Sequence, residues 1–245
     1  MTFNGDSPKQ APSKSGRWRN LKKNIFVSFF IDLVTIVGIA LVLSLLVKTF
    51  LIRSFFIPSD SMNNTLVKQD RIIVNELVPN IVPLNRGDVV VFRDPGTWLG
   101  PTTTKPANGF VAFGEWFLSA FGFTAPDSEQ HLVKRVIGLE GDHIVCTAPE
   151  AKVQINGTQL TEPYLPPDTL PCGMVFDVTV PNGSIWVMGD NRNNSADSRY
   201  HQDLPSKGFV DKKFLVGRAF VLSWPTSHWK WLDNYPNVFK DVPKP

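Results

Sequence analysis

Pro181-Asn182-Gly183-Ser184-Ile185-Trp186-Val187-Met188-Gly189-Asp190-Asn191-Arg192-Asn193-Asn194-Ser195-Ala196-Asp197-Ser198-Arg199 is the stretch on which the reading of this 245-residue chain turns. It opens as a turn, runs through four apolar residues that read as a strand, and ends in a dense polar run. Such a run is ordinarily a solvated loop. As a calcium loop it fails, because Arg192 stands where a ligand is needed. It does hold the parts of a packed polar site. A hydroxyl such as Ser195 can hold an amine in line, and Asp197 can pair with Arg199 or with Arg192.

Outward from this stretch, the body of the chain reads as mainly β. Residues 71–75 (Arg-Ile-Ile-Val-Asn) and 88–92 (Asp-Val-Val-Val-Phe) are β-branched runs bounded by turn residues. Val153-Gln154-Ile155 and Thr158-Gln159-Leu160 alternate around Asn156-Gly157, a strong hairpin signal. Residues 214–222 read as a late strand. Twenty prolines disfavour long soluble helices. Two insertions interrupt the strand-rich core, at about 95–130 and 143–180. The first contains Phe110, Phe113, Trp116, Phe117, Leu118, Phe121 and Phe123, which fit a short helix packed either on the sheet or against lipid. The second holds the hairpin, a proline-rich turn and both cysteines.

Ile25 to Val47 is apolar except for Asp32. As a helix these residues span roughly 34 Å, enough to cross the hydrocarbon of a bilayer. The run is longer than the core of a cleaved leader, and Lys48-Thr49-Phe50-Leu51 is no small-residue cleavage site. A retained, single anchor in the cell membrane is expected. Residues 1–24 are polar, carry +5 of the chain's net +3, and read as a disordered basic tail. That excess places the amino terminus in the cytoplasm and residues 48–245 outside it. The remainder of the chain sums to −2, which excludes a basic nucleic-acid-binding body. Cys146 and Cys172 suit an oxidising compartment and could pair, although two separate buried thiols fit equally well. There is no Cys-x-x-Cys and the four histidines are scattered, so neither a metal nor another cofactor is expected.

Just past the anchor lies Phe55-Phe56-Ile57-Pro58-Ser59-Asp60-Ser61-Met62, and far downstream Leu132-Val133-Lys134-Arg135-Val136-Ile137-Gly138. A serine hydroxyl needs a base to become a nucleophile. A lysine can serve if burial lowers its pKa from about 10.4 to about 7–8. Strand alternation turns Lys134 and Arg135 opposite ways, so that one can be buried while the other stays wet. Taken alone, Ser61 is a turn serine and Lys134 an edge-strand lysine. Phe55, Phe56 and Ile57 are expected to dip into the lipid headgroup region.

Together, the segments 57–62, 86–92, 133–142 and 188–199, in this order behind one anchor, resemble bacterial type I signal peptidase. The resemblance covers about residues 50 to 222. It implies that family's β-rich catalytic core and a serine endopeptidase with Ser61 as nucleophile and Lys134 as general base. It further implies an oxyanion hole from the Ser59 hydroxyl and the Ser61 N–H. Ser195 and Gly189 would position the lysine amine, and Asp190, Asn194, Asp197 and Arg199 would support the site. The implied partners are signal-peptide-bearing precursor proteins and the lipid bilayer. Asp60 and Asn193 stand where many members carry Gly and Asp; Asp60 must point outward to avoid raising the lysine pKa. The cysteine placement and the proline-rich insertion look most like actinobacterial members.

Rival readings are thinner. Ser227-His228-Trp229-Lys230 matches a Ser-x-x-Lys string but lacks the other motifs of penicillin-binding enzymes. A Ser–His pair through His201 has nothing in the sequence to orient it. A self-cleaving repressor would need a DNA-binding domain where the anchor stands. The non-enzymatic alternative is an anchored β-module that binds exported peptides without cutting them.

Overall fold

The computed structural model describes residues 25–96, 98–99 and 131–245. The basic tail and the aromatic 110–123 segment lie outside the described residues. The chain divides into two units, Met1–Val47 and Lys48–Pro245. Helix α1 (Ile25–Phe50) forms the described part of the first unit and runs three residues past its end and past the apolar stretch read from the sequence. Its 26 residues reach about 39 Å. Phe26–Ser44 has a mean hydropathy of 2.6 and buries nothing within the chain, so the helix is long and apolar enough to cross a membrane.

The second unit is built from two antiparallel sheets. The strands are β1 (Ile52–Phe56), β2 (Arg71–Asn75), β3 (Val89–Arg93), β4 (His131–Gly138), β5 (His143–Cys146), β6 (Gln154–Ile155), β7 (Thr158–Gln159), β8 (Phe176–Thr179), β9 (Ser184–Met188), β10 (Val210–Asp211), β11 (Leu215–Trp224) and β12 (Lys230–Trp231). The larger sheet has the order β1-β2-β11-β3-β4-β9-β10, with β12 beside β11. The smaller has the order β7-β6-β5-β8. The fold is mainly β with one amino-terminal apolar helix, in agreement with the sequence.

The runs 71–75, 88–92, 185–188 and 214–222 form β2, β3, β9 and β11 within two residues at each end. In β2 the β-branched Ile72 and Val74 are buried and alternate with half-buried neighbours, the pattern of a strand covered on one face. In β3, Val89 to Phe92 are all buried, because this strand is covered on both faces. At the β6–β7 hairpin Asn156 and Gly157 both take positive φ, 50° and 81°, as its two-residue turn requires. Cys146, at the end of β5, is disulfide-bonded to Cys172 across 26 residues.

The sequence gives no strand at β1, yet it pairs with β2 in full register, Ile52 opposite Asn75 and Phe56 opposite Arg71. Phe55 and Ile57 therefore do not reach toward lipid. Both are buried with Met62, Leu66, Ile72, Val74 and Val133 in one apolar core. The gain from burying such side chains, about 1.5–3 kcal/mol each, outweighs leaving them exposed once β1 has a partner strand.

Candidate active site

The Ser61 segment is a closed excursion between β1 and β2. Its base is tied by two bonds, Ile57 N–H to Asp70 O and Gln69 N–H to Ile57 O, both 2.9 Å. Met62 and Leu66 anchor it from below in the core that holds Phe55. Turns at Asn63, Thr65 and Leu66 fold it tightly, and Ser61 is left at the surface end, about nine-tenths buried.

β4 brings up the second residue. Val90 of β3 lies opposite Lys134, and Met188 of β9 lies opposite Arg135. One step beyond that pair, the antiparallel register carries Gly189 toward Lys134. The strand thus delivers Lys134 between the Ser61 turn and the start of the polar run. Lys134 Nζ donates to Ser61 Oγ at 2.7 Å and to Val133 O at 3.0 Å. Burial of the amine lowers its pKa from 10.5 to about 8; nearby Asp197 and Asp190 oppose that shift and Arg199 assists it. At pH 7 roughly a tenth of such lysines are neutral, a usable fraction for a base.

Around this pair lie buried arginine–carboxylate forks. Arg135 Nε donates to Asp190 Oδ1 at 2.8 Å and an Arg135 NH2 group to Asp190 Oδ2 at 2.6 Å. The Thr65 hydroxyl also donates to Asp190 Oδ2. Alternation misleads here, because Lys134 and Arg135 are both buried. Both faces of β4 are covered from Val133 to Gly138, so each side chain meets protein, and what separates the two cations is a partner rather than water. Arg135 has Asp190, the carbonyls of Gly87 and Asp233, and the Tyr164 ring 4.1 Å from its guanidinium. Lys134 has no carboxylate bonded to it among the described residues.

Of the two pairings open to Asp197, the structure has Arg199: Nε to Oδ1 and NH2 to Oδ2, each 2.8 Å. Burial alone would raise the Asp197 pKa, but the Arg199 guanidinium and the Gly189 N–H hold it below the ordinary carboxylate value. Arg192 pairs instead with Glu162 and donates through Nε to Gly189 O at 3.1 Å. Gly189 is hemmed in. A Cβ there would lie 2.4 Å from Ser61 O and 2.2 Å from Ser195 Oγ, so only glycine fits.

The remaining expected residues divide. The Ser59 and Ser61 hydroxyls are hydrogen-bonded to each other at 3.3 Å, and the Ser61 N–H donates to no backbone carbonyl among the described residues. Asp60 is exposed, as the lysine requires. Ser195 is buried beside Gly189, but its Oγ makes no bond to the lysine amine; its hydroxyl instead helps to hold the Asp197 pKa down. Asn194 is exposed and takes part only through its N–H, which donates to Asn191 O. His201 is engaged elsewhere: its Nδ1 is 2.7 Å from Asp197 O and its ring stacks on Trp98 at 4.1 Å. Ser227 and Lys230 are both exposed, so that string forms no buried pair. Glu162, Thr65 and Tyr164 are site neighbours that sequence reading missed. The partners that tie them to the site, Arg192, Asp190 and Arg135, lie 29 to 125 residues away, and no local pattern marks them.

Comparison with known proteins gives the same family as the motifs. The family described as "Signal peptidase, peptidase S26" matches residues 30–224. Signal peptidase I of Mycobacterium tuberculosis is 41% identical over 211 residues, which cover 78% of this chain and 71% of that protein. Signal peptidase I of Leptolyngbya laminosa is 34% identical over 193 residues, covering 78% of each chain. Signal peptidase I S of Bacillus subtilis is 31% identical over 196 residues, 76% of this chain and 85% of the relative. With a match across four-fifths of its length and relatives above 30% identity, this chain belongs to the signal peptidase family, peptidase S26.

Proposed function

We propose that this chain is a membrane-anchored serine endopeptidase that removes signal peptides from exported precursor proteins through an acyl-enzyme on Ser61. One observation carries the reading: a buried lysine amine, its pKa lowered to about 8, lies 2.7 Å from the hydroxyl of a serine that is itself about nine-tenths buried. An exported-peptide-binding module needs no such pair, and no feature of the site favours that alternative.

In the cleavage step neutral Lys134 accepts the Ser61 proton as Oγ attacks the scissile carbonyl. The Ser59 hydroxyl and the Ser61 N–H donate to the resulting oxyanion, and one such donor is worth about 2.7–4 kcal/mol in other hydrolases. As the intermediate collapses, the C–N bond breaks and protonated Lys134 gives its proton to the leaving amine. Water then attacks the ester. Lys134 takes the water proton and returns it to Ser61 Oγ, restoring the starting state. The oxidised pair Cys146–Cys172 agrees with a catalytic unit outside the cytoplasm. The helix α1 supports an anchor, and the basic residues before it support a cytoplasmic amino terminus. An anchored enzyme meets an anchored precursor at raised effective concentration. The substrate reading is a precursor with small residues at the first and third positions before the cut.

The test is cleavage of such a precursor by the full chain in lipid vesicles, beside its Ser61→Ala and Lys134→Ala variants. Loss of cleavage in both supports the dyad; parental rates in either one overturn it. Protease added outside intact cells should digest residues beyond 53, and protection there reverses the orientation.

A further inference from the structure

Gly189 has both of its peptide groups held by ion pairs. Its N–H donates to Asp197 Oδ2 at 2.9 Å, and Asp197 is gripped by Arg199. Its carbonyl accepts from Arg192 Nε at 3.1 Å, and Arg192 is gripped by Glu162. The Glu162 side chain is 2% exposed, and Arg192 is fully buried. Glu162 lies past β7, in the segment between β7 and β8 of the small sheet, 30 residues from Arg192.

The same segment touches the other half of the site. The Tyr164 carbonyl accepts from Asn64 Nδ2 at 2.9 Å, and Asn64 is three residues past Ser61, with φ +83°. The Tyr164 hydroxyl donates to Glu162 Oε1 at 2.6 Å, and its ring supports the Arg135 guanidinium. Three clamped elements therefore converge on residues 162–164: the Ser61 turn through Asn64, β4 through Arg135, and Gly189 through Arg192. Gly189 in turn packs against Ser61 O, which accepts from Asn191 N–H at 3.1 Å.

We infer that Glu162 is a positioning residue for the peptidase reaction. Through Arg192 it fixes the Gly189 carbonyl, and through Tyr164 it ties that fixed point to the turn carrying Ser61. A buried arginine without its carboxylate must turn toward water or toward another acceptor, and either movement draws the Gly189 carbonyl away. The inference rests on the Ser61–Lys134 reading. The charges facing Lys134 are Asp197, Asp190 and Arg199, none of them altered by a change at Glu162. A shift in the acid limb of the rate profile would therefore report a loosened enclosure of Lys134 and not a lost charge beside it.

The experiment uses the full chain in vesicles with a precursor bearing small residues at the first and third positions before the cut. It is run well below each variant's melting temperature. Glu162→Gln should lower kcat about tenfold with KM within about twofold, and move the acid limb to higher pH. Arg192→Lys keeps a cation for Glu162 but cannot hold Glu162 and the Gly189 carbonyl together, so it should show the same fall. It decides the matter if Glu162→Gln does not fold. Asp177→Asn, which breaks an exposed pair with His143 in the small sheet, should keep the parental kcat. Parental kcat and an unmoved limb in the folded variants, whatever their melting temperatures, overturn the inference. If Ser61→Ala is inactive while Glu162→Gln cleaves at the parental kcat, only the positioning role falls. If Ser61→Ala itself cleaves, the dyad falls with it.

Discussion

Arg135 and Asp190 meet as a two-point fork with neither side chain exposed at all, one residue along β4 from Lys134 and one along the chain from Gly189. The pair fastens β4 to the polar run. Asp190→Asn would leave the Arg135 cation buried without a counter-charge. Breaking a buried pair in this way typically costs about 3–5 kcal/mol, a large share of the roughly 5–15 kcal/mol that holds a domain folded. Urea unfolding of the purified variant measures this, and a loss under 1 kcal/mol would show that the other Arg135 acceptors suffice.

The pH–rate profile should rise through about pH 8. Lys134 titrates near that value, and only its neutral form can take the Ser61 proton. Substitution Lys134→Arg should be inactive at every pH up to 10, since a guanidinium stays protonated. A kcat/KM flat from pH 6 to 9 would be inconsistent with a depressed lysine.

Stability should carry the same signature. Lys134 has a folded pKa of about 8 against an ordinary 10.5. Below both values it is protonated whether the chain is folded or not, and folding bears the cost of burying the charge. Between them the unfolded chain holds a proton that the folded chain has released. Stability then rises with pH across that window, by up to roughly 3 kcal/mol. Denaturant midpoints at pH 7 and 10 should show the parent gaining relative to Lys134→Met; equal changes in the two would count against it.

Gly189→Ala should separate packing from chemistry. Its new methyl would lie 2.2 Å from Ser195 Oγ and 2.4 Å from Ser61 O, and the second contact is backbone that cannot rotate away. Overpacking of this kind costs about 1–3 kcal/mol of stability. Displacing Ser61 by a fraction of an ångström to 1 Å should cost up to about a hundredfold in kcat. Thermal melts and steady-state kinetics on the same preparation check both.

Cys146→Ala with Cys172→Ala should destabilise the folded chain by about 2–4 kcal/mol, the usual worth of a bond closing a loop of this size. Part of the loss should appear as activity. Cys172 O accepts from Arg199 at 2.8 Å and Pro171 O accepts from Arg192, so the cross-link steadies both arginines. A melting temperature unchanged by the double substitution would show that the small sheet holds without it.

The sequence made the strands legible where β-branched residues run together, as in β2, β3 and β9, and where a turn demands special dihedrals, as at Asn156-Gly157. It made Ser61 and Lys134 legible because their flanking residues form recognisable motifs. β1 was hidden because Arg53 and Ser54 interrupt its apolar residues; only the partner strand β2 makes it a strand. The burial of Arg135 was hidden for a related reason. Alternation says which way a side chain points, not whether something covers that face. Nothing near Glu162 in sequence marks it, since the arginine it neutralises is 30 residues on. Ser195 stands in the expected motif, yet the amine it was expected to hold is bonded to Ser61 and to Val133 O.

Strand β4 places two cations side by side in sequence, and their identities are set only by how it aligns with its neighbours. Shifted by one residue against β3, it would present a guanidinium to Ser61, a group that never gives up its proton near neutrality. The irregular step between Val136 and Gly138 against β9 helps to pin that alignment. A chain paired one residue out would disturb the faces on which its apolar side chains pack, and it would set no amine against Ser61. For this protein the accuracy of strand pairing during folding is itself a condition of enzymatic competence.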